Sequence, residues 1–129
     1  MVETIKIGRL LWVNIKNPTN EDLDEIANTY HFHPLDIEDC RESNQRSKID
    51  IYDDYYFLVL HFPNFDRQNK FIKPKEVKIF WGEDYLITIG RSHWVVDSVF
   101  DDAMEQYQKG EDFEVGTSDA ILYAILEKL

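Results

Sequence analysis

The strongest constraint on the fold lies in residues 49–62, where apolar and aromatic side chains first alternate with polar ones and then form a dense segment from Tyr55. β-Branched and aromatic residues favour the extended backbone of a strand, so this run is the strongest strand signal in the chain. Ile5 and Ile7 alternate with polar neighbours in the same way, and residues 10–15 form a short apolar run. Both of these segments are also predicted to be strands.

Two further strands are predicted at residues 77–81 and 85–89. They flank Gly82-Glu83-Asp84, a sequence that predicts a hairpin with a three-residue loop. Residues 63–74 begin and end with proline and are rich in charged and amide side chains. We interpret this segment as an irregular connection that leads into the hairpin.

Helical spacing appears between the early and the central strands. Thr19 and Asp22 resemble a capping box, in which each residue satisfies the other's backbone N–H. Apolar residues then recur at spacings of three and four, namely Leu23, Ile26, Ala27 and Tyr30. Pro34 suits a first helical position, which predicts a second, short helix that runs to about Cys40.

Two more helices are predicted in the last third of the chain. The first has an apolar face formed by Val96, Val99, Phe100, Ala103 and Tyr107, and Gly110 is expected to close it. Ser118 is predicted to cap a last helix from Asp119 to Leu129. This helix is apolar around most of its circumference, so we expect it to be buried on several sides and the natural chain to continue beyond it.

The order of these elements predicts an α+β sandwich with a mixed sheet. A chain of 129 residues fits a single domain. Its longest uninterrupted apolar runs have six or seven residues, as at 55–60 and 120–126, whereas a membrane-spanning helix needs about 20. We therefore expect this chain, taken alone, to be soluble.

The charge balance disfavours nucleic acid as a partner. The chain has 25 acidic and 14 basic residues, with a formal net charge of −11. A surface this negative repels phosphate backbones and attracts cations. Cys40 is the single cysteine, so a disulfide within the chain and a thiolate-rich zinc site are both excluded.

The densest acidic cluster comprises Asp36, Glu38, Asp39 and Glu42 in the short predicted helix. Asp36 and Asp39 share one helix face, whereas Glu38 and Glu42 share the neighbouring one. Like charges at these spacings repel unless a cation offsets them, and carboxylates suit hard ions such as Mg²⁺. The alternative is a solvated acidic surface without a metal.

Other candidate chemistry is weaker. His31 and His33 could ligate a transition metal, but neither His61 nor His93 has a spacing that completes a site, so we favour a structural role for His33. The chain contains no G-x-S-x-G motif and no glycine-rich phosphate loop, and no histidine neighbours Cys40. The sequence therefore does not predict an enzyme.

Six segments resemble, in the same order, the motifs of the CorA family of magnesium and cobalt transporters. They are Trp12-Val13-Asn14-Ile15 with Asn17-Pro18, His33-Pro34-Leu35-Asp36-Ile37-Glu38-Asp39, Gln45-Arg46-Ser47-Lys48-Ile49, residues 52–60, residues 76–80 with 85–89, and residues 118–126. The resemblance spans nearly the whole chain. Ser47 stands where the family usually has proline, a difference that concerns only a turn.

The resemblance implies an αβα sandwich with a largely antiparallel central sheet and helices on both faces. Residues 1–129 would then be the cytosolic regulatory domain of a CorA-like transporter, which forms a funnel at the cytoplasmic side of the cell membrane. The stalk helix, the two membrane helices and the Gly-Met-Asn pore signature of the family would lie outside this chain. The whole protein would be a homopentamer that moves divalent cations.

The resemblance also implies which residues bind metal. Asp39 corresponds to the family's principal regulatory ligand, and Glu38 and Glu127 resemble contributors to a second site. The implied ion is Mg²⁺ bound between subunits, with Co²⁺ as a second candidate. The domain would then be a Mg²⁺ sensor rather than an enzyme.

Two alternatives remain open at this point. One is the same domain in a zinc-transporting relative, which the pore signature would distinguish. The other is an acidic interaction module without a metal role.

Overall fold

The computed structural model describes residues 2–7, 9–42, 46–66, 71–90 and 94–108. Its strands are β1 (Val2–Ile7), β2 (Leu10–Lys16), β3 (Lys48–Ile51), β4 (Tyr55–Asp66), β5 (Phe71–Gly82) and β6 (Tyr85–Gly90). Its helices are α1 (Asn20–Tyr30), α2 (Pro34–Arg41) and α3 (Trp94–Gln108). The predicted last helix, Asp119 to Leu129, lies outside the described residues.

The strands form one six-stranded sheet in the order β1-β2-β6-β5-β4-β3. β2 and β6 are parallel, and every other neighbouring pair is antiparallel. The parallel pair arises because the chain leaves β2 through α1 and α2, crosses the sheet, and returns beside β2 only with β6. The predicted α+β class with a mixed, largely antiparallel sheet is confirmed.

Successive residues of the strands supply two separate apolar cores. On β2, Trp12 packs with Phe100 of α3 on one face of the sheet. Its neighbour Val13 packs on the opposite face with residues of α1 and α2, including Leu23 and Ile37. Because side chains alternate along a strand, one sheet can serve both cores. The predicted αβα sandwich, with helices on both faces, is therefore confirmed.

The predicted starts of α1 and α2 are also confirmed. The Thr19 hydroxyl accepts a hydrogen bond from the Asp22 N–H at 3.1 Å, and the Asp22 carboxylate accepts one from the Thr19 N–H at 3.1 Å. This reciprocal pair is the capping box that starts α1. Pro34 occupies the first turn of α2, where its missing N–H leaves no hydrogen bond unmade.

The prediction of an irregular connection at residues 63–74 is wrong. β4 continues to Asp66 and β5 begins at Phe71, with Pro63 opposite Pro74 in the pairing. β3 pairs with β4 only as far as Val59, and β6 pairs with β5 only from Val77. The prolines therefore lie where the hairpin extends beyond both neighbouring strands, and within the described ranges they have no second ladder to disrupt.

The predicted hairpin between β5 and β6 is present, but its loop has two residues instead of three. Gly82 belongs to β5, and only Glu83 and Asp84 connect the strands. A Cβ atom at Gly82 would collide with the aromatic ring of Tyr85. Glycine is required here because the Tyr85 ring lies directly against the backbone.

Candidate metal site

A histidine cap fixes the start of α2, the helix that carries the acidic cluster. The His33 Nδ1 atom accepts a hydrogen bond from the Leu35 N–H at 3.1 Å, and the His33 N–H donates to the Tyr55 hydroxyl at 2.9 Å. His31 ends α1 in the left-handed conformation, with a φ of 59°. The H-x-H pair thus joins two helices, in agreement with the structural role predicted for His33.

Asp36 is buried beneath two tyrosines, with 1% of its surface exposed. Its two carboxylate oxygens accept hydrogen bonds from the hydroxyls of Tyr55 at 2.8 Å and Tyr52 at 3.1 Å. Burial raises the pKa of Asp36, although both hydrogen bonds oppose this shift. Burial and the nearby Asp36 carboxylate raise the pKa of Tyr52 to about 12, so that its hydroxyl keeps the proton it donates.

Asp39 lies one turn after Asp36 and is partly buried, with 18% of its side chain exposed. The Lys48 Nζ atom lies 2.6 Å from the Asp39 Oδ2 atom and 3.1 Å from the Asp50 Oδ2 atom. Carboxylate oxygens of Asp36, Asp39 and Asp50 all lie within 4.8 Å of one another. α2 and β3 therefore bring three carboxylates together, with an ammonium group between two of them.

A hard divalent cation such as Mg²⁺ prefers carboxylate oxygens and retains several of its waters. Asp39 and Asp50 are the partly exposed members of this group that such an ion could contact. The Lys48 ammonium demonstrates that the space between Asp39 and Asp50 stabilises positive charge. The hydrogen bond to Asp39 is the largest cause of a raised pKa at Lys48, and the second hydrogen bond to Asp50 adds to it.

The two glutamates of the acidic cluster have different neighbours. Glu38 is exposed, and its carboxylate lies 3.7 Å from the Arg41 guanidinium, which also contacts Asp24 at 2.5 Å. Glu42 is the C-cap residue that follows α2, and its backbone carbonyl accepts a hydrogen bond from Lys78 at 3.0 Å. Glu127, predicted to contribute to a second site, lies outside the described residues.

A chain of polar contacts ties the central strands to the end of α2. The Ser47 hydroxyl lies 2.5 Å from His61 Nδ1, and His61 Nε2 lies 3.3 Å from Glu76 Oε1. Lys78 donates to the other Glu76 oxygen at 2.9 Å and also to the carbonyl that ends α2. Burial opposes ionisation of Glu76, but the hydrogen bonds from Lys78 and His61 hold its pKa below the ordinary value. The network thus anchors α2 above the sheet.

Cys40 does not offer a metal ligand. It is buried, with 3% of its surface exposed, and burial raises the pKa of its thiol to about 12. Because metals bind the thiolate, a thiol that keeps its proton is a poor ligand.

Sequence reasoning did not identify Lys48 and Asp50. Both precede the aromatic run, and on β3 they alternate with Ile49 and Ile51, which are 61% and 74% exposed. A period of two places Lys48 and Asp50 on the face that carries α2. That alternation was visible in the sequence, but the polar face of the strand could be assigned to α2 only once the sheet order was known.

A family model described as "CorA-like Mg2+ transporter protein" matches residues 8–129. Among curated relatives, the "Putative metal ion transporter YfjQ" of Bacillus subtilis is 39% identical over 77 residues, 60% of this chain. The magnesium transporter ALR2 of Saccharomyces cerevisiae is 26% identical over 92% of the chain, and the cobalt/magnesium transport protein CorA of Thermotoga maritima is 23% identical over 92%. The chain spans only 23%, 14% and 33% of these relatives' lengths.

Solved structures show the same fold. The soluble domain of CorA from Methanocaldococcus jannaschii superposes with a TM-score of 0.68 at 17% identity, covering 93% of this chain and 46% of that one. The cytoplasmic domain of ZntB from Vibrio parahaemolyticus gives a TM-score of 0.68 at 14% identity, covering 97% of this chain and 48% of that one. In the part of the chain that the structure describes, no helix is both long and apolar enough to cross a bilayer.

Proposed function

The chain belongs to the CorA-like Mg²⁺ transporter family, and on this premise we propose that it is the cytosolic regulatory domain of a divalent-metal transporter that senses Mg²⁺. The family is one of transporters and not of enzymes. In this proposal residues 1–129 precede a stalk helix and membrane helices. The complete protein is a homopentamer in the cell membrane, with this domain on the cytoplasmic side.

The observation that carries the proposal is the position of Asp39. Its side chain is partly exposed and belongs to a group of three acids that α2 and β3 bring within 4.8 Å. Asp36 is sealed by two tyrosines, so Asp39 is the member of the helix pair that a ligand or another subunit can reach. Glu38 is exposed on the same helix and supports a second contact, to which Glu127 would contribute.

The proposed mechanism follows from electrostatics. In a symmetric assembly, the Asp39 carboxylate of each subunit faces a carboxylate on the stalk of its neighbour. Bare carboxylates at such an interface repel one another, and the closed arrangement therefore needs divalent cations between them. When cytosolic Mg²⁺ falls, the ions dissociate, the interface loosens, and open states gain population.

A role in sensing limits how tightly the domain can bind Mg²⁺. A sensor of cytosolic Mg²⁺ should bind at about millimolar strength, which corresponds to roughly 4 kcal/mol per site. A few carboxylate contacts, bridged by the waters that Mg²⁺ retains, can supply this amount. A complete protein cage would bind so tightly that the site would remain occupied and could not report a change in concentration.

A Mg²⁺ titration of the full-length transporter, followed by protease protection and by sedimentation, tests the proposal. We expect protection to appear near millimolar Mg²⁺ and to be lost in Asp39→Ala. Asp53→Ala, which removes an exposed carboxylate in the turn before β4, should protect like the unchanged protein. Protection that never appears, or that survives in Asp39→Ala, would contradict a role for Asp39 in sensing.

The zinc-transporting alternative is compatible with the likeness to the ZntB cytoplasmic domain. Zn²⁺ favours nitrogen and sulfur donors, however, and the group around Asp39 consists of carboxylates. Co²⁺ tolerates mixed donors and remains a second candidate ion. Repeating the titration with Zn²⁺ and Co²⁺ discriminates these ions. An acidic module without a metal role would respond to none of them.

A further inference from the structure

Lys48 already occupies the position where a cation would meet Asp39. Its Nζ atom lies 2.6 Å from Asp39 Oδ2, a contact shorter than the usual 2.7–2.9 Å of such charge-assisted hydrogen bonds. The same ammonium lies 3.1 Å from Asp50 Oδ2. The carboxylate proposed to sense Mg²⁺ therefore has a partner within its own chain.

The surroundings of Lys48 hold this ammonium in place. Its residue begins β3 and pairs with Val59 of β4, which fixes the backbone. Its Nζ atom also lies 5.7 Å from the centroid of the Phe57 ring, within the range of a cation–π contact. The Lys48 side chain is therefore held beside Asp39.

We propose that Lys48 is a built-in competitor of the divalent cation for Asp39, and that it thereby sets the concentration at which the domain responds. This inference rests on the proposed function, because it concerns the same carboxylate. A divalent ion that binds the Asp39 Oδ2 atom would displace the ammonium, since two cations cannot share one carboxylate oxygen without strong repulsion.

Asp50 can keep the displaced Lys48 ammonium paired. The Lys48 Nζ atom already contacts both carboxylates, so a small rotation away from Asp39 retains the contact with Asp50. The exchange thus leaves no charge unpaired on β3. Binding becomes weaker than it would be at a free carboxylate, which suits a sensor that must release Mg²⁺ when its concentration falls.

The central test is Lys48→Met, which keeps a long unbranched side chain beside Phe57 and removes the ammonium. A partly exposed ion pair contributes up to about 1 kcal/mol, so the Mg²⁺ midpoint for protease protection of the full-length protein should fall by about fivefold. Lys48→Arg keeps the competing charge and should leave the midpoint unchanged or higher. Arg46→Met removes one positive charge from an exposed residue nearby and controls for the general rise in negative potential.

Displacement can also be observed directly. The rate at which an amine-reactive acylating reagent modifies Lys48, followed by mass spectrometry of the full-length protein, should rise when Mg²⁺ is added. In Asp39→Asn the rate should be high already and insensitive to Mg²⁺. Lys16 is paired with Glu3 at the opposite end of the sheet from β3. The rate of Lys16 acylation should not change with Mg²⁺ in either protein.

The outcomes separate the two proposals. If Asp39→Asn abolishes Mg²⁺-dependent protection and Lys48→Met lowers the midpoint more than Arg46→Met does, both stand. If Asp39→Asn abolishes protection but Lys48→Met leaves or raises the midpoint, Lys48 supports the site instead of competing, and only the competitor is overturned. Protection that is unaffected by Asp39→Asn overturns both.

Discussion

Asp36 and Asp39 lie one turn apart on α2, yet Asp36 is sealed beneath the hydroxyls of Tyr52 and Tyr55 whereas Asp39 is partly exposed and paired with Lys48. These two acids of one motif thus differ in burial and in hydrogen-bond partners. The first holds α2 against the sheet through buried hydrogen bonds. The second is partly exposed and pairs with Lys48, and we propose that it contacts a divalent cation at a subunit interface.

Substituting Asp36 should therefore destabilise the domain. Asp36→Ala leaves the buried Tyr55 hydroxyl and the partly buried Tyr52 hydroxyl without their acceptor, which costs about 1–3 kcal/mol in the free energy of unfolding. Urea denaturation monitored by circular dichroism measures this loss. Asp54→Ala, which removes an exposed carboxylate before β4, serves as the control. A free energy of unfolding equal to that of the control would contradict the structural role of Asp36.

Substituting Asp39 should leave the fold intact. Asp39→Ala breaks one partly exposed ion pair, and Lys48 retains its contact with Asp50, so the free energy of unfolding should fall by less than about 1 kcal/mol. Urea denaturation monitored by circular dichroism measures the free energy of unfolding of Asp39→Ala. A loss as large as that of Asp36→Ala would mean that Asp39 acts in folding, and its effect on Mg²⁺ response could then no longer be assigned to ligation.

The sequence predicted those parts of the structure that depend on neighbours along the chain. The capping box of Thr19 and Asp22 and the helical start at Pro34 each need only a few adjacent residues, and both are present. The alternation of apolar and polar residues correctly predicted strands at β1 and β3. Asp36 and Asp39 were correctly placed on one helix face, because helical spacing alone brings residues three apart together.

The features that the sequence did not predict depend on pairing between distant segments. Lys48 and Asp50 meet α2 only because β3 lies at the end of a particular strand order. Pro63 and Pro74 predicted a break, yet the strands continue through them, because no third strand among the described residues pairs with the hairpin there. Neither outcome follows from local propensity, since both require the register of β3, β4 and β5.

The face of the sheet that carries α3 depends on a buried polar contact. Thr88 is fully buried; its hydroxyl accepts from the Trp12 indole N–H at 3.1 Å and donates to Asn14 Oδ1 at 2.8 Å. Thr88→Val keeps the shape but leaves both partners unsatisfied, so we expect a loss of about 1–3 kcal/mol in unfolding free energy. Thr4→Val, at an exposed position of β1, is the control. Equal stability of the two variants would contradict this account.

The ion pair of Glu76 and Lys78 should make stability depend on pH in the acid range. The folded protein holds the pKa of Glu76 below its ordinary value of 4.5, so the folded state favours the ionised form. This contribution is fully present above pH 4.5 and is lost as the pH falls through the lower, folded pKa.

Glu76→Gln removes that contribution. Its free energy of unfolding should be lower than that of the unchanged protein at neutral pH, and the difference should shrink as the pH falls below 4.5. Urea denaturation at a series of pH values gives the free energy of unfolding of the variant and of the unchanged protein as a function of pH. Glu83→Gln, at an exposed acid in the β5–β6 turn, should run parallel to the unchanged protein. A Glu76→Gln difference that stays constant or widens in acid would mean that the network of Lys78 and His61 does not favour the Glu76 carboxylate.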